Sequence, residues 1–372
     1  MFVHTTSGLF LVVLLAIAWI SVVTSLSSSK HLIVLVHGLM GNERDLEYLG
    51  DRLSAVGDCV VLRSASNANY KSLQGVRLGA ERLIEEIREV KKAHKDLEKI
   101  SFVGNSLGGI FCRYALKLLS YHTKEGEKML YLDEKNSLLP LMFITIATPH
   151  LGVRDNLYIE DRIQRLLRNE KLAIPTILKR AAGKALGASG IELFLDDKQN
   201  ITDALLVDMA HKEEYLKPLR MFKVRVLYSN LDNDFVVSLN TAAFLPNDLV
   251  KSLREEFIYG VPDRGKARIV KTITTTMVDL VKTRENKCID LDDSQGIEDL
   301  YSGMMASLDS LGWTKHVYYF PGTFPYYPLA HNKLAALRKT PSFLFNGILG
   351  FDEGEVVMNS LAQFLSEAES KY

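Results

Sequence analysis

The sequence predicts an α/β protein built on a mostly parallel sheet with crossover helices. Three observations carry that expectation. After Lys30, short β-branched runs alternate with longer amphipathic segments. The longer segments keep apolar side chains at helical spacing and charges on the opposite face. Beyond Ser27–Ser29 there is no low-complexity tract, and no internal repeat breaks the alternation.

In chain order, residues 1–29 come first and stand apart. Gly8–Val23 is almost wholly apolar, and no acidic or basic side chain occurs before Lys30. Its length falls between a signal-peptide core and a membrane-spanning helix of about 20 residues. Val23 and Ser25 suit a small-residue cleavage rule, while the usual positive n-region is missing. The segment therefore reads as a cleaved signal peptide or a membrane anchor, placed ahead of one folded domain over 30–372.

The first strand-like run is HLIVLV (31–36), followed by a helix over Asn42–Val56. CVVLR (59–63) is the second run. A long helix follows, with Val76, Leu83, Ile84, Ile87 and Val90 on one face and Glu81, Glu85, Arg88 and Lys92 on the other. ISFV (100–103) enters a helix at Leu107, and LMFITIA (141–147) is the fourth run. FKVRVLYS (222–229) and HVYYF (316–320) complete six expected strands. Two long insertions, 155–220 and 245–312, exceed connecting-loop length and are expected to be mainly helical.

Composition narrows the partners. The chain has 372 residues, 47% of them hydrophobic, with 45 basic and 45 acidic side chains. That balance argues against a nucleic-acid partner. Cys59, Cys112 and Cys288 are too few and too scattered for a disulfide framework or a zinc site.

The chemistry-bearing motif is Gly104-Asn105-Ser106-Leu107-Gly108, a G-x-S-x-G. It follows an apolar strand and opens an apolar helix without a gap, which is the strand–turn–helix setting of a nucleophile elbow. That context makes Ser106 the candidate nucleophile and predicts the α/β-hydrolase fold, with the insertions as helical caps. Acyl transfer needs two backbone N–H donors for the developing oxyanion. Leu107 supplies one. The other is expected in the glycine-bearing loop Val36-His37-Gly38-Leu39-Met40-Gly41, from Leu39 with Met40 as the near alternative. His37 precedes the serine and is expected to hold its loop.

In this fold the order is serine, then acid, then histidine. Of nine histidines, only His316 and His331 follow the fifth run. His316 lies at the start of the last strand, the wrong end, so His331 in the loop beyond it is the expected general base. The loop after FKVRVLYS reads Asn230-Leu231-Asp232-Asn233-Asp234. Both aspartates lie on the correct sheet edge. Asp234 is favoured because the loop needs a few residues to turn toward His331, with Asp232 as the alternative.

These motifs resemble the putative serine esterase family of eukaryotic lipase-like proteins, which includes lipid-droplet phospholipases. The resembling stretches are LVHGLMGN (35–42), FVGNSLGGIFCRYAL (102–116), FITIATPHLGVR (143–154), GASGIELFLDD (187–197), FKVRVLYSNLDNDFVV (222–237) and LAHNKL (329–334). The resemblance implies an acyl hydrolase with Ser106, Asp234 and His331 at the family's triad positions. It also raises Asp234 over Asp232, because the family pattern is Asn-Asp followed by apolar residues. Asn105 departs from the family, which usually has histidine before the serine.

The implied substrate is an acyl lipid, met at a membrane or lipid-droplet surface, and the triad needs no cofactor or metal. Between Arg154 and Lys184 there are eight basic and four acidic residues, a balance suited to an anionic lipid surface. The N-terminal segment points to a membrane-associated or secretory location, with a lipid droplet or cytoplasmic membrane surface as the alternative. Two other functions fit the same residues: an acyltransferase, and a catalytically silent binding protein of this fold.

Overall fold

The computed structural model describes residues 30–56, 59–124, 127–154, 174–259, 268–277, 294–320, 329–337 and 350–371. Gly8–Val23, Cys288 and the Ile159–Leu167 stretch of the first insertion lie outside them. Among the described residues no helix is long and apolar enough to cross a membrane.

The chain opens with β1 (His31–Val36), α1 (Glu47–Val56), β2 (Cys59–Arg63), a 3-10 turn at Asn69–Leu73 and α2 (Val76–Ala93). Next come β3 (Lys99–Asn105), α3 (Leu107–Leu118), β4 (Ser120–Lys124), β5 (Glu127–Tyr131) and β6 (Ser137–Ile146). Helices α4 (Thr176–Ala185), α5 (Gly187–Leu193), α6 (Leu205–His211) and α7 (Glu213–Leu219) precede β7 (Val224–Asn230). The last part holds α8 (Leu239–Ala243), α9 (Asn247–Arg254), β8 (Arg268–Thr274), α10 (Ser294–Asp309), β9 (Thr314–Tyr319), α11 (Ala330–Leu334) and α12 (Glu355–Lys371).

The sheet runs β2-β1-β3-β6-β7-β9-β8. Every neighbouring pair from β2 to β9 is parallel, so their carboxyl ends share one edge. Period-two alternation sorts the side chains of β1 between two cores. Leu32, Val34 and Val36 pack with Leu83 and Ile87 of α2 and Phe111 of α3. Ile33 and Leu35 pack with Leu49 and Leu53 of α1 and Leu361 and Leu365 of α12. Helices thus cover both faces of a parallel sheet, and the α/β-hydrolase fold expected from the elbow is the fold observed.

Two elements depart from the expectation. Residues 268–274, expected within a mainly helical insertion, form β8, which pairs antiparallel with β9 at the sheet edge. β4 and β5 make an unanticipated hairpin that joins β6 antiparallel through Leu130 and Tyr131. A strand at the open edge of the sheet needs only one apolar face, and the charge in Arg268 and Lys271 obscured that face in the sequence. The described part of the first insertion is helical, as expected. Its α7 buttresses α3, where Lys117 Nζ donates to the Tyr215 hydroxyl at 3.0 Å.

Candidate active site

Ser106 occupies the turn between β3 and α3 with φ 54° and ψ −128°, a conformation that L-residues adopt only under strain. Tight surroundings hold it there. Its N–H donates to the Ile146 carbonyl at 2.8 Å, and its carbonyl accepts from the Gly109 N–H at 3.1 Å. A Cβ at position 108 would strike the Val36 carbonyl, and one at 104 the backbone of Gly109. The glycines of the motif therefore serve close approach of β3, α3 and the end of β1.

The loop after β1 lies directly against the serine. A Cβ added to Gly38 would sit 2.8 Å from Ser106 Cβ and 3.2 Å from its Oγ. Three backbone N–H groups help to hold the loop. Gly41 N–H donates to the Gly38 carbonyl at 3.1 Å, and Asn69 N–H to the Gly41 carbonyl at 2.7 Å. Met40, left-handed with φ 54°, donates its N–H to Ser72 Oγ at 2.8 Å. Of the two expected donors in this loop, Met40 is thus committed to Ser72. The N–H groups of Leu39 and of Leu107, the first residue of α3, have no acceptor among the described residues. His37 is buried, and its Nδ1 donates to the Gly38 carbonyl at 2.9 Å, which braces the loop.

Two loops bring Asp234 and His331 together. His331, on α11, sets Nδ1 3.0 Å from Asp234 Oδ2, and both side chains are buried. An ionised carboxylate only accepts, so Nδ1 carries the proton and Nε2 is left as the basic nitrogen. Each carboxylate oxygen of Asp234 has two donors. Oδ1 takes the N–H groups of Val236 at 3.0 Å and Val237 at 2.8 Å. Oδ2 takes Asn230 Nδ2 at 2.8 Å as well as His331. The loops are also sewn together by backbone: Asp234 bridges Leu329, and Ala330 N–H donates to the Asn233 carbonyl at 3.1 Å. Asp232 faces elsewhere, with Oδ1 3.6 Å from Arg254 Nη2. Lys333 of α11 pairs with Glu353 at 2.8 Å and ties the histidine helix to the turn before α12.

Two residues with a hand in this geometry, Asn230 and Ser72, escaped sequence reading, as did the buried His150. Asn230 ends β7 within a loop whose asparagines and aspartates all read as turn formers. Ser72 lies on the 3-10 turn with no motif around it. His150 follows β6, where burial, aided by the neighbouring Arg113 charge, holds its pKa well below the ordinary histidine value. Neutral at physiological pH, it accepts from Arg113 Nη1 at 3.3 Å through Nδ1 and contacts Thr145 Oγ1 at 3.1 Å through Nε2. Burial alone also brings the Arg113 guanidinium down to about 10. Among the described residues no group of three His, Cys, Asp or Glu side chains is placed to hold a metal ion.

Comparison with known proteins adds a family and relatives. A family described as putative serine esterase matches residues 26–245, a range that contains Ser106 and Asp234 and ends before His331. The putative lipase ROG1 of Saccharomyces cerevisiae is 27% identical over 242 residues, covering 63% of this chain and 32% of that protein. The putative lipase C4A8.10 of Schizosaccharomyces pombe is 26% identical over 238 residues, covering 60% and 27%. The chain thus spans about a third of the length of the curated relatives it matches. Among solved structures, Aspergillus fumigatus lipase B is similar with a TM-score of 0.34 and 13% identity, over 57% of this chain and 39% of that one.

Proposed function

Because the chain belongs to the putative serine esterase family, we propose that it hydrolyses carboxylic esters of acyl lipids through Ser106, His331 and Asp234. Nε2 of His331 takes the proton of Ser106 as Oγ attacks the acyl carbonyl. The Leu39 and Leu107 N–H groups receive the oxyanion of the tetrahedral intermediate. His331 returns its proton to the leaving alcohol, and the acyl group remains as an ester on Ser106. Water, deprotonated by His331, attacks this ester; collapse releases the fatty acid and restores the serine. Asp234 holds the imidazole tautomer and offsets its charge at each step.

The observation that carries this reading is the buried 3.0 Å contact between Asp234 and His331 Nδ1, on the same sheet edge as a serine held in a strained turn. A lipid substrate is supported by three exposed apolar side chains beside the machinery. Met40 is 41% exposed on the oxyanion loop, Tyr70 is 73% exposed on the turn that holds it, and Phe235 is 51% exposed next to Asp234. Such a rim suits entry of acyl chains from a membrane or lipid-droplet surface. The test is covalent labelling by a fluorophosphonate probe. Wild type is expected to label, and Ser106→Ala is not. A folded wild type that stays unlabelled would point to a silent binding protein instead.

A further inference from the structure

We propose that Asn230 is a positioning residue of the acid–base pair, which aims the Asp234 carboxylate at His331 and sets the pH at which His331 becomes a base. The assignment rests on the hydrolase reading above. Asn230 is the last residue of β7 and is 2% exposed. Its Nδ2 donates at 2.8 Å to Oδ2 of Asp234, the same oxygen that meets His331. The other amide atom, Oδ1, is buried with no hydrogen-bond partner among the described residues. Flipping the amide would turn that oxygen toward a carboxylate oxygen, so the donor orientation is the one the site permits. A buried carbonyl without a donor is costly. The fold accepts that cost where leucine, of similar volume, would fill the space without it. Packing alone does not account for an amide here, whereas a donor to the carboxylate does.

The electrostatic consequence has a definite sign. A donor on Oδ2 disperses negative charge that would otherwise stabilise the His331 imidazolium. Asn230 therefore keeps His331 a weaker base than Asp234 alone would make it. Among the described residues, two other charges of these elements are paired. Lys333 on its own helix meets Glu353, and Asp232 on the acid loop meets Arg254. The Tyr228 and Tyr318 phenols, from β7 and β9 in the same core, are pushed up by burial and stay neutral. Asp352 lies on the turn packed against α11. Among the described residues, Asp234 is the charged side chain that meets the imidazole, and Asn230 is the side chain that modulates it.

The test follows the rate of fluorophosphonate labelling of Ser106 in the full chain from pH 5 to 9, for wild type, Asn230→Leu and Asn230→Ser. The acidic limb of the profile reports deprotonation of His331. In the leucine variant it is expected to move up by about half to one pH unit. Its plateau rate is expected to fall about tenfold as the carboxylate loses its aim. The serine variant, which keeps a short donor, falls between and carries the test if the leucine variant does not fold. A limb that stays at the wild-type pH in folded variants, whatever the rate, overturns the assignment and leaves the hydrolase reading intact. A wild type that does not label overturns both.

Discussion

Asp232 and Asp234 belong to one short loop and are both buried, yet their partners give them different work. Asp232 faces the Arg254 guanidinium at 3.6 Å, while Asp234 takes four donors including His331. Under the proposed mechanism, Asp234→Asn presents an amide to Nδ1 and favours the wrong imidazole tautomer. Ester hydrolysis is then expected to fall by about 10³–10⁴-fold in kcat with the protein still folded. Asp232→Asn should cost less than tenfold in kcat, about 1 kcal/mol, and show mainly as a lower Tm, because it weakens an anchor. Steady-state kinetics with a soluble ester, beside thermal unfolding of each variant, separates the two. Equal losses of kcat would remove the distinction. The convergence of the loops after β7 and β9 was legible from which residues follow each strand. The role of Asn230 was not, because an asparagine in a turn-rich loop reads as a turn former until its partner is seen.

At the scale of elements, the loop after β1 is shaped by something outside itself. Met40 is held left-handed by Ser72 on the 3-10 turn, and that turn is in turn gripped by α5, where Ser189 Oγ donates to the Ser72 carbonyl at 2.7 Å. Glu192 of the same helix accepts from Val76 N–H at 2.7 Å at the start of α2. Helix α5 thus clamps the turn that positions the expected oxyanion donor. Ser72→Ala leaves the Met40 N–H without its acceptor and frees the loop. The expected result is a fall of about fivefold in kcat, with KM little changed, corresponding to one hydrogen bond of about 1 kcal/mol. Kinetics with a soluble ester checks it; a change confined to KM would mean the loop serves binding instead. Such a clamp joins side chains far apart in sequence, so no local pattern announces it. The edge strand β8 escaped for a different reason. Ile269, Val270 and Ile273 carry a β-branched signal, but its charged neighbours and the long insertion around it favoured a helical reading.

Over the whole molecule, the parallel strands were legible because they are short apolar runs, β1, β3 and β7 buried almost throughout, and the residues that follow β7 and β9 then located two loops that meet, carrying Asp234 and His331. The long-range contacts that tie the body of the protein together were not legible. His150 is the clearest case, since it joins parts of the chain that share no motif. It contacts Thr145 on β6 and Arg113 on α3, and it lies edge-on to Phe244 after α8 and to Trp313 before β9, with ring centroids at 5.0 and 6.0 Å. Arg113 continues the link to the Met209 carbonyl on α6 at 2.7 Å. Burial and the Arg113 and Lys315 charges keep this imidazole neutral in the fold, whereas the unfolded chain protonates it below its ordinary value of 6.5. The unfolded state therefore binds the extra proton. The contribution of His150 is fully present above about pH 6.5 and is lost as pH falls below it. His150→Gln is expected to unfold at a lower temperature than wild type at pH 7.5, having lost a buried contact of about 2 kcal/mol. Glutamine does not titrate, so the gap should close by about 1.4 kcal/mol for each pH unit below 6.5. Thermal unfolding at pH 7.5, 6.5 and 5.5 measures it, and a gap that holds constant over that range would mean that His150 takes up its proton inside the folded protein.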